Sequence, residues 1–138
     1  MAYYRPLVLI SGFINQLPAG AGVVTDEITE GSKGSIGFLT NVESVATSGV
    51  QLDTFASGTY NTAHYSVQAK RGNEVHSTEI KLIHNNTTVY TSEYGTVYSS
   101  GLLATYSGEL NGSQVDLNAY SNSSSSTIFK IIRNAQAY

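Results

Sequence analysis

HSTEIKLIHNNTTVYTSEYGTVYS, running from His76 to Ser99, decides the fold. Thr78, Ile80 and Leu82 fall on one phase of a period of two, and Glu79 and Lys81 on the other, which is the pattern of a strand with one buried face. Asn85-Asn86 then turns the chain, because asparagine tolerates the positive φ that tight hairpins need. Thr87 to Tyr98 is the returning strand, with Gly95 as a point of interruption.

The same reading extends in both directions. Upstream, Tyr65, Val67 and Ala69 alternate with Ser66, Gln68 and Lys70, and Arg71-Gly72-Asn73 is the turn before the central hairpin. Gly34 to Val45 and Val50 to Phe55 are earlier strands. Downstream, Leu102 to Leu110 and Val115 to Tyr120 flank Asn111-Gly112, the strongest short-range hairpin signal. Asp116 and Asn118 alternate with Val115, Leu117 and Ala119, so this strand is expected to have one wet face. Thr127 to Arg133 carries apolar groups on both phases, as a central or covered strand would. The tail Asn134 to Tyr138 is expected to be loose. No helix of ordinary length fits. The expected fold is all-β: a β-sandwich or small jelly-roll or barrel-like antiparallel fold. Its expected core includes Tyr65, Val67, Ile80, Leu82, Leu110, Val115, Leu117 and Ile131.

Residues 1–35 read differently, as an extended N-terminal arm ahead of a β domain over 36–138. Pro6, Gly12 and Pro18 punctuate the short apolar runs Leu7 to Ile10 and Phe13 to Leu17. These prevent a compact unit, so the strip needs a surface to cover it. The candidate contact residues are Tyr3, Tyr4, Arg5, Leu7, Leu9, Phe13 and Leu17, docking on a neighbouring copy or another protein.

Composition narrows the function classes. The chain has 138 residues, a net charge of −3, 12% charged residues and no cysteine. A core is attainable at this length without disulfides or a thiolate metal site. The seven basic residues are scattered, which argues against nucleic acid. The four-residue run Leu7 to Ile10 is too short for a signal peptide, and no stretch approaches the ~18 apolar residues of a membrane helix. A weakly charged surface rich in Ser, Thr, Asn and Gly fits an assembled extracellular β-protein.

Chemistry-bearing patterns are sparse. Glu74 and His76 share a strand face, but no third metal ligand is suggested nearby, and both are expected to be exposed beside a turn. His64 and His84 read the same way. No G-x-S-x-G is present. Gly20-Ala21-Gly22 lacks the third glycine of a dinucleotide fingerprint, and Gly31-Ser32-Lys33-Gly34 lacks the end of a P-loop. Glu79, Glu93, Glu109 and Asp116 each fit a solvated strand face rather than a catalytic pair. The sequence therefore predicts no enzyme, no catalytic residue, no metal and no cofactor. Of ten tyrosines, Tyr60, Tyr65, Tyr90, Tyr94, Tyr98, Tyr106 and Tyr120 lie in or beside strands, where tyrosine suits packing, interfaces and sugar stacking alike.

A resemblance adds to this. Ser77-Thr78-Glu79, the aliphatics up to His84, Thr87-Thr88-Val89-Tyr90 and Glu93-Tyr94-Gly95-Thr96 resemble a module of tailed-phage virion proteins, cyanophages included. Leu103 to Leu110, Val115 to Asn118 and Thr127 to Arg133 continue it. The chain departs from the pattern at Asn85-Asn86, where Asp-Gly is expected. Arg5-Pro6-Leu7-Val8, Ser11-Gly12 and Ile14 to Gly20 are similar to leaders of phage appendage and decoration proteins. Residues from Val24 to Gly58 match nothing in that pattern. The resemblance implies a structural protein on the virion exterior, first a capsid decoration (cement) protein. A short fibre, tail or baseplate component contacting host glycans is the alternative. It also implies a homo-oligomer, expected to be a trimer, and the major capsid protein or another virion protein as partner, with neither nucleic acid nor membrane.

Overall fold

The computed structural model describes residues 7–10, 13–16, 27–30, 34–44 and 47–137, with side chains from 47 onward. Among them there is no helix. Eleven strands run in chain order: β1 Leu7–Ile10, β2 Phe13–Gln16, β3 Glu27–Glu30, β4 Gly34–Ser44, β5 Val50–Ala56, β6 Thr62–Arg71, β7 Glu74–His84, β8 Val89–Tyr98, β9 Ala104–Asn111, β10 Gln114–Ser121 and β11 Thr127–Gln136. A six-stranded sheet has the order β3-β4-β11-β6-β7-β8, and a three-stranded sheet the order β5-β10-β9. β1 and β2 form a two-stranded sheet of their own. All pairings are antiparallel. The result is sandwich-like, with no closed barrel.

Strand alternation builds the core. Tyr65, Val67 and Ala69 from β6, Ile80 and Leu82 from β7, and Phe129 and Ile131 from β11 face Leu52 and Phe55 from β5 and Val115, Leu117 and Ala119 from β10. Seven of the eight expected core residues are buried, and Leu110 is half-buried against the same cluster. β9 packs tightly against β7 and β8 at Gly108. A methyl group there would stand 2.7 Å from Val89 and 2.9 Å from both Leu82 and Thr91, so the backbone approach requires glycine.

The turns follow local chemistry. Asn86 has φ of 68°, and the Asn85 side-chain oxygen accepts from the Thr87 and Thr88 amides at 3.1 and 2.8 Å, tying the β7–β8 connection. Asn111 pairs with Gln114, so the loop is Gly112-Ser113, one residue later than the Asn-Gly reading. Gly112 supplies the positive φ of 63° at the first loop position, as a type II′ turn requires. Gly72, with φ of 57°, does the same between β6 and β7.

Three expectations on exposure are corrected. Asp116 and Asn118 are buried, because Gln51 and Asn111 donate to the Asp116 carboxylate and Asn118 donates to Glu109 across the β10–β9 ladder. His76 and His84 are buried as well. The tail is not loose up to Gln136: β11 continues to that residue, pairs with β4 and β6, and buries Ala135. β11 is the central strand its two apolar phases suggested. Phe129 and Ile131 point inward, while Ile128 and Ile132 are exposed on the other face.

Candidate functional site

The outer face of the six-stranded sheet carries a polar concavity. Thr62 and His64 on β6, Lys81 on β7, Tyr94 on β8, and Asn134 and Gln136 on β11 line a groove of about 320 Å³. They converge because each occupies the outward phase of its strand. Lys81 lies opposite His64, and Asn134 opposite His64 on the other side. His64 is held in place. Its Nε2 lies 2.8 Å from Glu79 Oε2 and 3.0 Å from the Tyr94 hydroxyl, and the imidazole and phenol rings stack nearly parallel at 6.1 Å. Hydroxyl, amide, ammonium and a fixed aromatic pair suit a hydroxylated ligand.

A second polar group lies in the core. Asp53 on β5 and Arg133 on β11 join the two sheets through Nη1–Oδ2 and Nη1–Oδ1 contacts of 3.0 and 3.3 Å, both side chains nearly inaccessible. The Tyr65 hydroxyl donates to the same carboxylate at 2.8 Å. Burial, and then the Asp53 charge, push the Tyr65 phenol well above its ordinary range. The guanidinium lies between the Phe55 and Tyr60 rings, 6.0 and 5.8 Å from their centroids. Sequence reasoning missed this cluster. Its signal is that Arg133 shares the inward phase of Phe129 and Ile131.

His84 is structural. Its Nε2–H donates to the Tyr60 carbonyl at 2.6 Å while Nδ1 accepts from the Asn86 amide at 3.2 Å, which sets the tautomer and pins the turn. His76 differs. It is 1% exposed, packs against Tyr106 at 6.2 Å, and neither ring nitrogen finds a hydrogen-bond partner among the described residues. Burial lowers its pKa from 6.5, and the Glu93 carboxylate only partly opposes that. The folded chain thus holds His76 neutral at pH values where the unfolded chain protonates it. This contribution to stability is complete above pH 6.5 and is lost as pH falls through 6.5 toward the depressed folded value. The His76→Phe variant is expected to show a shallower loss of stability on acidification than the native chain. Denaturant melts on either side of pH 6.5 check this, and parallel losses in both proteins would contradict it.

The remaining candidates disperse. Glu79 lies on the outer sheet face, and Glu93 is exposed on β8. Glu109 and Asp116 are opposite one another on β9 and β10, each held by amides. Glu74 accepts from Ser100 at 2.6 Å rather than meeting His76. No group of three metal-ligating side chains occurs among the described residues. Of the arm residues, Leu7 and Leu9 lie on β1 and Phe13 on β2, which pair as a hairpin with Leu9 opposite Ile14. Tyr3, Tyr4, Arg5 and Leu17 lie outside the described residues.

No protein-family model and no curated protein matches the sequence. Solved structures do match by shape. The tailspike protein of Acinetobacter baumannii phage AM24 has a TM-score of 0.51 at 8% identity, covering 78% of this chain and 27% of that one. The tailspike protein of Acinetobacter phage vB_ApiP_P1 has a TM-score of 0.48 at 18% identity, covering 92% of this chain and 26% of that one. The chain spans about a quarter of each tailspike's length, and its likeness to the AM24 protein is one of fold.

Proposed function

We propose that this chain is a structural module on the exterior of a bacteriophage virion, within a tail spike or fibre, where its polar sheet face meets host-surface glycan. The observation that carries this reading is the shared fold over 78% of the chain with a phage tailspike. The sequence resemblance to tailed-phage virion proteins points the same way independently. The groove supports glycan contact: it offers amides, a lysine and the stacked Tyr94–His64 pair on an open sheet face. In this reading the module holds and positions its ligand, and Glu79 beside the groove orients His64.

A capsid decoration role is the second reading. It is favoured by the β1–β2 hairpin, whose apolar strand sequence forms a sheet separate from the sandwich and suits docking on a capsid surface or a neighbouring copy. Quantitative mass spectrometry of purified virions separates the two. Tens of copies per particle or fewer are expected for a spike or fibre, and hundreds would give the decoration role instead. Absence from the virion would overturn both.

A further inference from the structure

β8 ends the six-stranded sheet, and nearly every residue in it is exposed on both faces. β9 of the three-stranded sheet reaches the Val89–Thr91 end of β8, where Gly108 lies against both side chains. Most of the exposed large apolar side chains gather on this strand and its surroundings: Tyr90, Tyr94, Val97 and Tyr98 on β8, with Val75 and Ile83 on β7. Natural sheet edges are blunted with lysine, proline or inward charge. β8 reads VYTSEYGTVY, with neither lysine nor proline; the inward-facing Glu93 and the bulge at Gly95 are the edge devices it does carry.

That sequence is self-complementary once its bulge is counted. β7–β8 pairing shifts register between Ser77 and Glu79, where Gly95, with φ of 64°, is the extra residue. Val89, Thr91, Glu93, Thr96 and Tyr98 therefore share the inner face, and Tyr90, Ser92, Tyr94 and Val97 the outer. We propose that two copies of the chain associate through β8, antiparallel about a two-fold axis at Glu93, joining their six-stranded sheets into one.

In that register Val89 meets Tyr98 of the second copy, Tyr90 meets Val97, Thr91 meets Thr96, and Ser92 meets Tyr94. Each pair keeps its two side chains on the same face. The bulge makes this so: a perfectly alternating ten-residue strand has no residue at its centre, and each Val–Tyr pair would straddle the sheet. Aromatic–β-branched and Thr–Thr pairs are the favourable cross-strand combinations. An apolar groove of about 280 Å³, lined by Val75, Val97 and the Gln68 and Ser77 side of the sheet, lies where Tyr90 of the second copy would arrive. Two features oppose association: Glu93 faces its own copy across the axis, where like charges directly opposite repel, and the bulge at Gly95 bends the edge.

The test uses the full chain and light scattering over a concentration series. A mass rising from 14.7 kDa to twice that value is expected. Glu93→Gln removes the repulsion and is expected to lower the dissociation constant roughly two- to fivefold at neutral pH. Val97→Lys, at a position 69% exposed in the single chain, is expected to abolish pairing with no change in melting temperature of the monomer. In this cysteine-free chain, Glu93→Cys is expected to form the intermolecular disulfide faster than Ser92→Cys, since position 93 alone meets itself. Monomer throughout in both the native chain and Glu93→Gln would overturn the proposal. So would a dimer indifferent to Val97→Lys, equal cross-linking at 92 and 93, or a mass of three copies, which would favour assembly through the arm.

Discussion

Asp53→Ala is expected to destabilise the fold by about 3–5 kcal/mol, the cost of removing one member of a buried ion pair. Three consequences combine in that substitution. Arg133 loses both contacts to the carboxylate while remaining between the Phe55 and Tyr60 rings. Tyr65, fully buried, loses the acceptor of its hydroxyl. The only connection of this kind between β5 and β11 among the described residues disappears with them. The pair itself is not expected to be a large source of net stability, because removing two charges from water offsets most of their attraction. Replacing the whole cluster, with Asp53→Leu, Arg133→Met and Tyr65→Phe together, is therefore expected to recover most of the loss. Urea melts of the single and triple variants check this. A single-variant loss below about 1 kcal/mol would mean that water reaches Arg133.

Phe129→Ala is expected to cost about 3–5 kcal/mol, at the upper end for core truncations. The ring is fully buried on β11, which is held by β4 on one side and β6 on the other, so the backbone has little freedom to collapse into the space left behind. Tyr106 loses an edge-to-face partner at 6.3 Å. Ile132→Ala on the same strand is the matched control. It is 47% exposed on the opposite phase and is expected to cost within about 0.5 kcal/mol. Equal losses at the two positions would show that β11 is covered on both faces or is out of register.

The contrast within β11 also shows how far the sequence reaches. The existence of β6, β7 and β10 was legible because apolar and small polar residues alternate there for several positions. The turns at Gly72, Asn86 and Gly112 were legible because those positions demand a positive φ. The phase of Leu82 or Leu117 follows directly from such patterns. What alternation cannot convey is which polar residue on an inward phase has a partner. Arg133 and Asp53 are 80 residues apart and meet only because β11 and β5 are assigned to opposite sheets. Asp116 and Asn118 read as wet for the same reason: their partners, the Gln51 and Asn111 amides for one and the Glu109 carboxylate for the other, come from neighbouring strands. His76 was placed beside a turn by sequence distance, yet β9 brings Tyr106 over it. The groove around His64 draws on β6, β7, β8 and β11, an order that no local pattern contains.

The edge strand and the polar groove share one sheet, and Tyr94 belongs to both. Pairing through β8 would set two grooves side by side across the axis, so assembly and glycan contact would reinforce each other through avidity.

The most direct measurement of the proposed role is a particle reconstruction of the virion, with and without an antibody fragment raised against this chain. The expected result is added density at the tail spikes or fibres on the outside of the particle. Density confined to the capsid interior, or particles that bind no fragment at all, would contradict it.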